Sequence, residues 1–125
     1  SDVVRSFIAA WNANDLPRIV GHLHPDVVYH NIPVAPIHGR AAVKAYLDSK
    51  GGFDWVNWKL MAIAESGNKV LTERIDDFGV SGANISLPVM GTFEIEDGLI
   101  RAWRDYFDLD SYRRQLPATM PPPGS

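Results

Sequence analysis

The spacing of apolar positions divides the chain into two halves. In the first half the period is helical. Val3, Val4, Phe7, Ile8 and Trp11 recur three or four residues apart, which predicts a helix over 2–13 with one apolar stripe. Asn14 or Asp15 can cap a second helix, with Pro17 in its first turn, Ile19, Val20 and Leu23 on its apolar side and Pro25 as its stop. Residues 27–32 predict a short strand ended by Pro33. Pro33, Pro36 and Gly39 mark a loop, and a third helix follows with Ala42, Val43, Tyr46 and Leu47 as its buried side.

In the second half the period drops to two. Residues 55–65 and 69–79 predict strands joined by a turn at Glu65-Ser66-Gly67-Asn68; 83–95 and 99–108 predict a second pair joined by Glu96-Asp97-Gly98. Pro88 cannot donate to a ladder, so a bulge or an edge is expected there. A last short helix is expected from about Asp110, its cap, to before Pro117. Helices, a strand, a helix and then an antiparallel meander make an α+β fold. A long twisted sheet crossed by helices on one face curls into a cone, and the mouth of the cone is a natural pocket. Nothing divides the chain, so residues 1–118 read as one domain and 119–125 as a Pro-rich tail.

Composition narrows the function classes. A net charge of −3 gives no electrostatic basis for binding nucleic acid or an anionic membrane. The absence of cysteine removes disulfides, thiolate metal sites and cysteine nucleophiles together. No apolar run reaches the about 20 residues of a membrane helix, and no secretory pattern opens the chain. The expected location is the cytoplasm.

Strand alternation then assembles a candidate site. Arg74 and Asp76 share a face with Val70, Thr72 and Phe78. Trp103, Asp105 and Phe107 share a face with Leu99 and Arg101, and Arg104 turns to the other side. The strand between offers Ile85, Leu87, Val89, Gly91, Phe93 and Ile95. If these faces belong to one concave surface, two carboxylates and one guanidinium meet among apolar side chains. A single Arg-x-Asp is most simply an ion pair that sets strand register. A second aspartate on an apolar strand face favours a site. One arginine cannot neutralise both carboxylates, so one of them keeps its proton near neutral pH. A protonated acid beside an ionised base is the pairing that general acid–base chemistry uses. Tyr29 and Asn31 share a face of the first strand. Alone they read as an ordinary edge; beside an aspartate they can hold a water molecule. His22, His24, His30 and His38 lack metal-ligand spacing and read as structural or exposed. Trp55 and Trp58 read as core or interface, and there is no phosphate loop or Ser–His signature.

Tyr29-His30-Asn31-Ile32-Pro33, Thr72-Glu73-Arg74-Ile75-Asp76 and Trp103-Arg104-Asp105-Tyr106-Phe107-Asp108 resemble the limonene-1,2-epoxide hydrolase family in type, order and spacing, from about Val3 to Leu116. The resemblance implies an NTF2-like, ketosteroid-isomerase-like fold: a cone-shaped curved mixed sheet with helices on one face. It also implies one-step addition of water to an epoxide, with no covalent intermediate, cofactor or metal. Carried over, Asp105 is the general base, Tyr29 and Asn31 hold the water, Asp76 is the general acid and Arg74 bridges the carboxylates. His30 departs from the best-known members and should face away. Ile8, Trp11, Phe78, Leu87, Val89, Trp103 and Phe107 are the candidate pocket wall, which suits a small apolar epoxide, cyclic or terpene-like. By analogy a homodimer is expected through the opposite sheet face, which carries Ile75, Ala102 and Tyr106. The alternatives are a ketosteroid-isomerase-like isomerase or polyketide cyclase on the same fold and, from another class, a non-catalytic small-molecule-binding module.

Overall fold

The structure is a computed structural model that describes residues 1–49 and 52–117. The Ser1 side chain accepts from the Val4 N–H and starts α1 (Asp2–Asn12), whose stripe Val4, Phe7, Ile8, Ala10 and Trp11 is buried. Asp15, not Asn14, caps α2 (Leu16–Gly21) by accepting from the Arg18 N–H at 3.2 Å. Asn14 instead donates through Nδ2 to the Phe53 carbonyl at 2.6 Å.

Helix α2 stops at Gly21, ahead of Pro25, and β1 (Leu23–Asn31) begins four residues before its expected start. Pro25 lies between Leu23 and Val28, where the pairing of β1 with its neighbour is irregular. The proline therefore interrupts a strand, where its missing N–H is tolerated, and does not end a helix. Strand β2 (Ile37–His38) pairs antiparallel with β1 and is too short to leave a pattern in the sequence. On α3 (Arg40–Ser49), Val43 and Leu47 are buried, Tyr46 partly so, and Ala42 is exposed.

The meander consists of β3 (Trp55–Ser66), β4 (Lys69–Val80), β5 (Ala83–Glu96) and β6 (Leu99–Tyr106). Strand β1 adds to β6 in parallel, which makes one mixed, curved six-stranded sheet of order β2-β1-β6-β5-β4-β3. The helices cover its concave face. Phe7 anchors that core, meeting Trp11, Phe93 and Trp103 edge-on with ring centroids 6.4, 6.0 and 5.0 Å away.

Alternation holds along β4, where Val70, Thr72, Arg74, Asp76 and Phe78 are buried. It fails at the start of β6. Arg101 is an extra residue opposite the Glu94–Ile95 step. The bulge reverses the faces before it, so Ile100 joins Trp103 and Asp105 on the buried side. Leu99 and Arg101, expected on that face, do not share it. Arg104 does turn away, and its Nη1 meets Glu94 Oε2 at 2.6 Å.

Pro88 pairs with Ile75 of β4 in unbroken register, so no bulge forms there. Its other flank is an edge, because β6 ends at Tyr106, opposite Met90. Just beyond, a side chain replaces the missing strand. Gln115 accepts from the Ser86 N–H and donates to the Ser86 carbonyl, both at 2.9 Å. Gln115 closes α4 (Leu109–Gln115), which Asp108 caps in place of the expected Asp110, because the chain is still extended at Asp108. The expected tail, 119–125, lies outside the described residues. Among the described residues no helix is long and apolar enough to cross a membrane.

Candidate active site

Two strands deliver the charged trio. Arg74 and Asp76 come from β4 and Asp105 from β6, all on the concave face. Arg74 is fully buried and both aspartates are 5% exposed. The guanidinium grips Asp76 with two bonds, Nε to Oδ1 at 3.0 Å and Nη2 to Oδ2 at 2.8 Å. Nη2 also donates to Asp105 Oδ1 at 3.1 Å. Nη1 donates to Thr72 Oγ1 at 3.1 Å, and that hydroxyl donates to the Gly91 carbonyl at 3.3 Å. The plane of the arginine lies over Trp58, 4.6 Å from its ring centre. All three guanidinium nitrogens are therefore engaged.

The electrostatics follow from burial. Burial raises the Asp76 carboxyl from 3.8 to about 6; the bonds to and charge of Arg74 oppose this, and the charges of Asp105 and Asp77 add to it. Burial also raises Asp105, against the charge and hydrogen bond of Arg74. Burial disfavours the charge on Arg74, but Asp105 and Asp76 outweigh it and hold the guanidinium above its ordinary range. One permanent cation thus faces two carboxyls that each resist ionising, and the two titrate as a coupled unit, both pushed above the ordinary carboxyl range.

Strand β1 brings Tyr29 and Asn31 alongside. Parallel pairing sets Asn31 opposite Asp105 and Tyr29 opposite Trp103. Asn31 Nδ2 donates to the Tyr29 hydroxyl at 2.8 Å, and the tyrosine ring stacks on Trp103 with centroids 4.0 Å apart. Burial, then the charge of Asp105, raises Tyr29 well above an ordinary phenol, so its hydroxyl stays a donor.

These groups open onto a cavity of about 290 Å³. Asp76, Asp105, Tyr29 and Asn31 line it; Arg74 does not. A molecule in the cavity meets the two carboxyls but never the cation that controls them. Of the expected wall, Trp11, Phe78, Leu87, Val89 and Phe107 face the cavity. Two positions are corrected. Ile8 packs into the core, because only the last turn of α1 reaches the cavity. Trp103 is fully buried behind Tyr29, between that ring and Phe93. The sequence reading missed Thr72 as a support for Arg74, and it missed several lining residues, Tyr112 of α4, Phe53, Tyr46 and Trp58 among them. Only the strand order explains Thr72.

The histidines lie elsewhere. His22 bridges Ser6 and the Arg18 carbonyl, and His30 turns from the site to the Val34 carbonyl. Among the described residues, His24, Glu96 and Asp97 bring three ligand-type groups together at the β5–β6 turn, where His24 already pairs with Glu96 at 3.1 Å.

Residues 1–117 match the family profile of the limonene-1,2-epoxide hydrolase catalytic domain. The epoxide hydrolase EphG of Mycobacterium tuberculosis is 33% identical over 106 residues, which span 85% of this chain and 71% of EphG. The solved structure of an M. tuberculosis epoxide hydrolase of the limonene type superposes with a TM-score of 0.81 at 31% identity, covering 92% of this chain and 86% of the other. A SnoaL-like polyketide cyclase fold from Shewanella denitrificans gives a TM-score of 0.81 at 14% identity, covering 91% and 93%. At that identity the likeness concerns the fold alone.

Proposed function

Because the chain belongs to the limonene-1,2-epoxide hydrolase family, we propose that it adds water to a small apolar epoxide in one step through Asp105, Arg74 and Asp76. The observation that carries this reading is the buried cation holding two carboxyls that both face an apolar cavity. Asp105 is the base, because the hydrogen-bonding pair Tyr29–Asn31 stands beside it and not beside Asp76. Water held there loses a proton to Asp105 as its oxygen attacks one epoxide carbon. The bond from that carbon to the ring oxygen breaks, and Asp76 gives its proton to the departing oxygen. The product is a vicinal diol, and the proton returns from Asp105 to Asp76 through solvent. Arg74 keeps its charge throughout and acts by position. Each positioned acid or base typically contributes about 10²–10⁴-fold, which ring strain in the substrate makes sufficient.

An isomerase or cyclase reading draws on the fold alone. A binding module has no use for an acid and a base held apart by a buried arginine. The test is a panel of small cyclic and linear epoxides run under single turnover in ¹⁸O-water, with Asp105→Asn as control. Labelled diol is expected from the first turnover, with a loss of about 10²-fold or more in the variant. Absence of diol from every epoxide, or near-normal turnover by Asp105→Asn, would sink the proposal. Unlabelled first-turnover diol would mean an aspartyl ester and refute the one-step route.

A further inference from the structure

Arg74 and Asp105 stand on strands that are not neighbours. Strand β5 runs between β4 and β6, so the bond joining them crosses the face of β5. The β5 residue at the crossing is Gly91, paired with Thr72 on one side and Asp105 on the other. A Cβ at Gly91 would sit 2.4 Å from Arg74 Nη1, 2.6 Å from Asp105 Oδ1 and 3.1 Å from Thr72 Oγ1. Non-bonded heavy atoms settle at about 3.5–4.0 Å, so the methyl group would collide with the guanidinium at Nη1 and with Asp105 Oδ1, the acceptor of the crossing bond. Arg74 Nη1 ends a long side chain, yet that chain is fully buried and bonded through all three nitrogens.

Backbone conformation does not explain the glycine, because Gly91 is not among the residues with positive φ. A glycine inside a strand weakens it, and often marks a place where another group approaches closely. Its neighbours on the same face, Val89 and Phe93, are large and buried. The gap is confined to the one position that the guanidinium crosses.

We propose that Gly91 is a positioning residue for the reaction: its missing side chain is the gap through which Arg74 reaches Asp105, so that one arginine holds both carboxyls. The proposal rests on the trio being the reaction centre. A side chain at 91 drives the guanidinium back toward Asp76, and Asp105 loses its cation.

Gly91→Ala tests this in three ways. The first is thermal unfolding of Gly91→Ala, Arg74→Lys and the double variant. Lysine lacks Nη1 and ends short of the crossing. The added methyl should therefore lower the midpoint by about 5 °C or more with Arg74 present, and by much less in the Arg74→Lys background. Equal losses in both backgrounds overturn the proposal. If Gly91→Ala does not fold, folding of the double variant supports the proposal, and its failure beside a folded Arg74→Lys overturns it. The second is a ¹³C-carboxyl NMR titration: Asp105 should titrate about one pH unit higher or more in Gly91→Ala, with Asp76 moving less. An unmoved Asp105 overturns the proposal. The third is kinetic: kcat for diol formation should fall about 10- to 100-fold with KM little changed, whereas a raised KM with intact kcat overturns the positioning role. If the wild-type protein turns over no epoxide, the hydrolase mechanism fails, while the unfolding and titration results still decide the structural role of Gly91.

Discussion

Asp76 links the chemistry of the site to the stability of the fold. Burial lifts its carboxyl from 3.8 to about 6, with the bonds to Arg74 opposing and the charge of Asp105 adding. An acid whose folded pKa lies above its unfolded one binds its proton more tightly when folded. Its contribution to stability is therefore complete below the unfolded value and is lost as pH rises through the folded one. At ~1.4 kcal/mol per pH unit, the gap from 3.8 to about 6 is worth ~3 kcal/mol. That is a large share of the about 5–15 kcal/mol that holds a domain together. Asp105 is pushed the same way and adds to the slope. Asp77 is the opposite case: burial works to raise it, but hydrogen bonds with Lys59 and Ser86 outweigh that and lower it. Its contribution fades only at pH below its unfolded value, outside the window. The assay is urea unfolding followed by tryptophan fluorescence between pH 4 and pH 8, on the wild type and on Asp76→Asn. Asparagine cannot ionise, and it leaves Arg74 to neutralise Asp105 alone. The wild type should lose ~3 kcal/mol more than the variant across that range. Parallel stability–pH curves for the two proteins would refute the reasoning.

Two further outcomes are expected. Phe78 packs against Phe53 and Tyr112 at centroid distances of 5.4 and 6.0 Å on the cavity wall; Phe78→Ala should change the ratio of kcat/KM between bulky and small epoxides by about tenfold or more, and an unchanged ranking would remove Phe78 from the wall. Leu71, Met90 and Tyr106 are 41, 53 and 47% exposed on the convex face of the sheet, so a second copy of the chain is expected to cover it; sedimentation showing a monomer at micromolar concentration would refute this.

Alternation was enough to put Arg74 with Asp76 on one face of β4, and Asp105 with Trp103 on one face of β6, because β4 and the last half of β6 keep a strict period of two. It misled at Leu99 and Arg101, because one inserted residue reverses every side chain before it, and nothing in local composition marks the bulge. It also says nothing about which strands are neighbours. Thr72 and Gly91 read as unremarkable strand positions until β5 is known to lie between the arginine and the second aspartate. Gly91 was the harder of the two to see, since its contribution is an absent side chain. Ile8 belongs to a correctly expected helix, but only three-dimensional position separates the turn that faces core from the turn that faces cavity. The cap of the last helix was displaced by two residues because two acidic candidates, Asp108 and Asp110, both fit the pattern.

Helix α4 has no fully buried residue, and the Gln115 amide ties it to the free edge of β5, yet it carries Tyr112 to the cavity. The strands that hold Asp76, Asp105 and Arg74 take their register from one another. Substitutions at Tyr112 are thus expected to change which molecules enter the cavity while Asp76, Asp105 and Arg74 keep their places. A change of substrate range then has a point of entry in α4, apart from the strands that carry the charged trio.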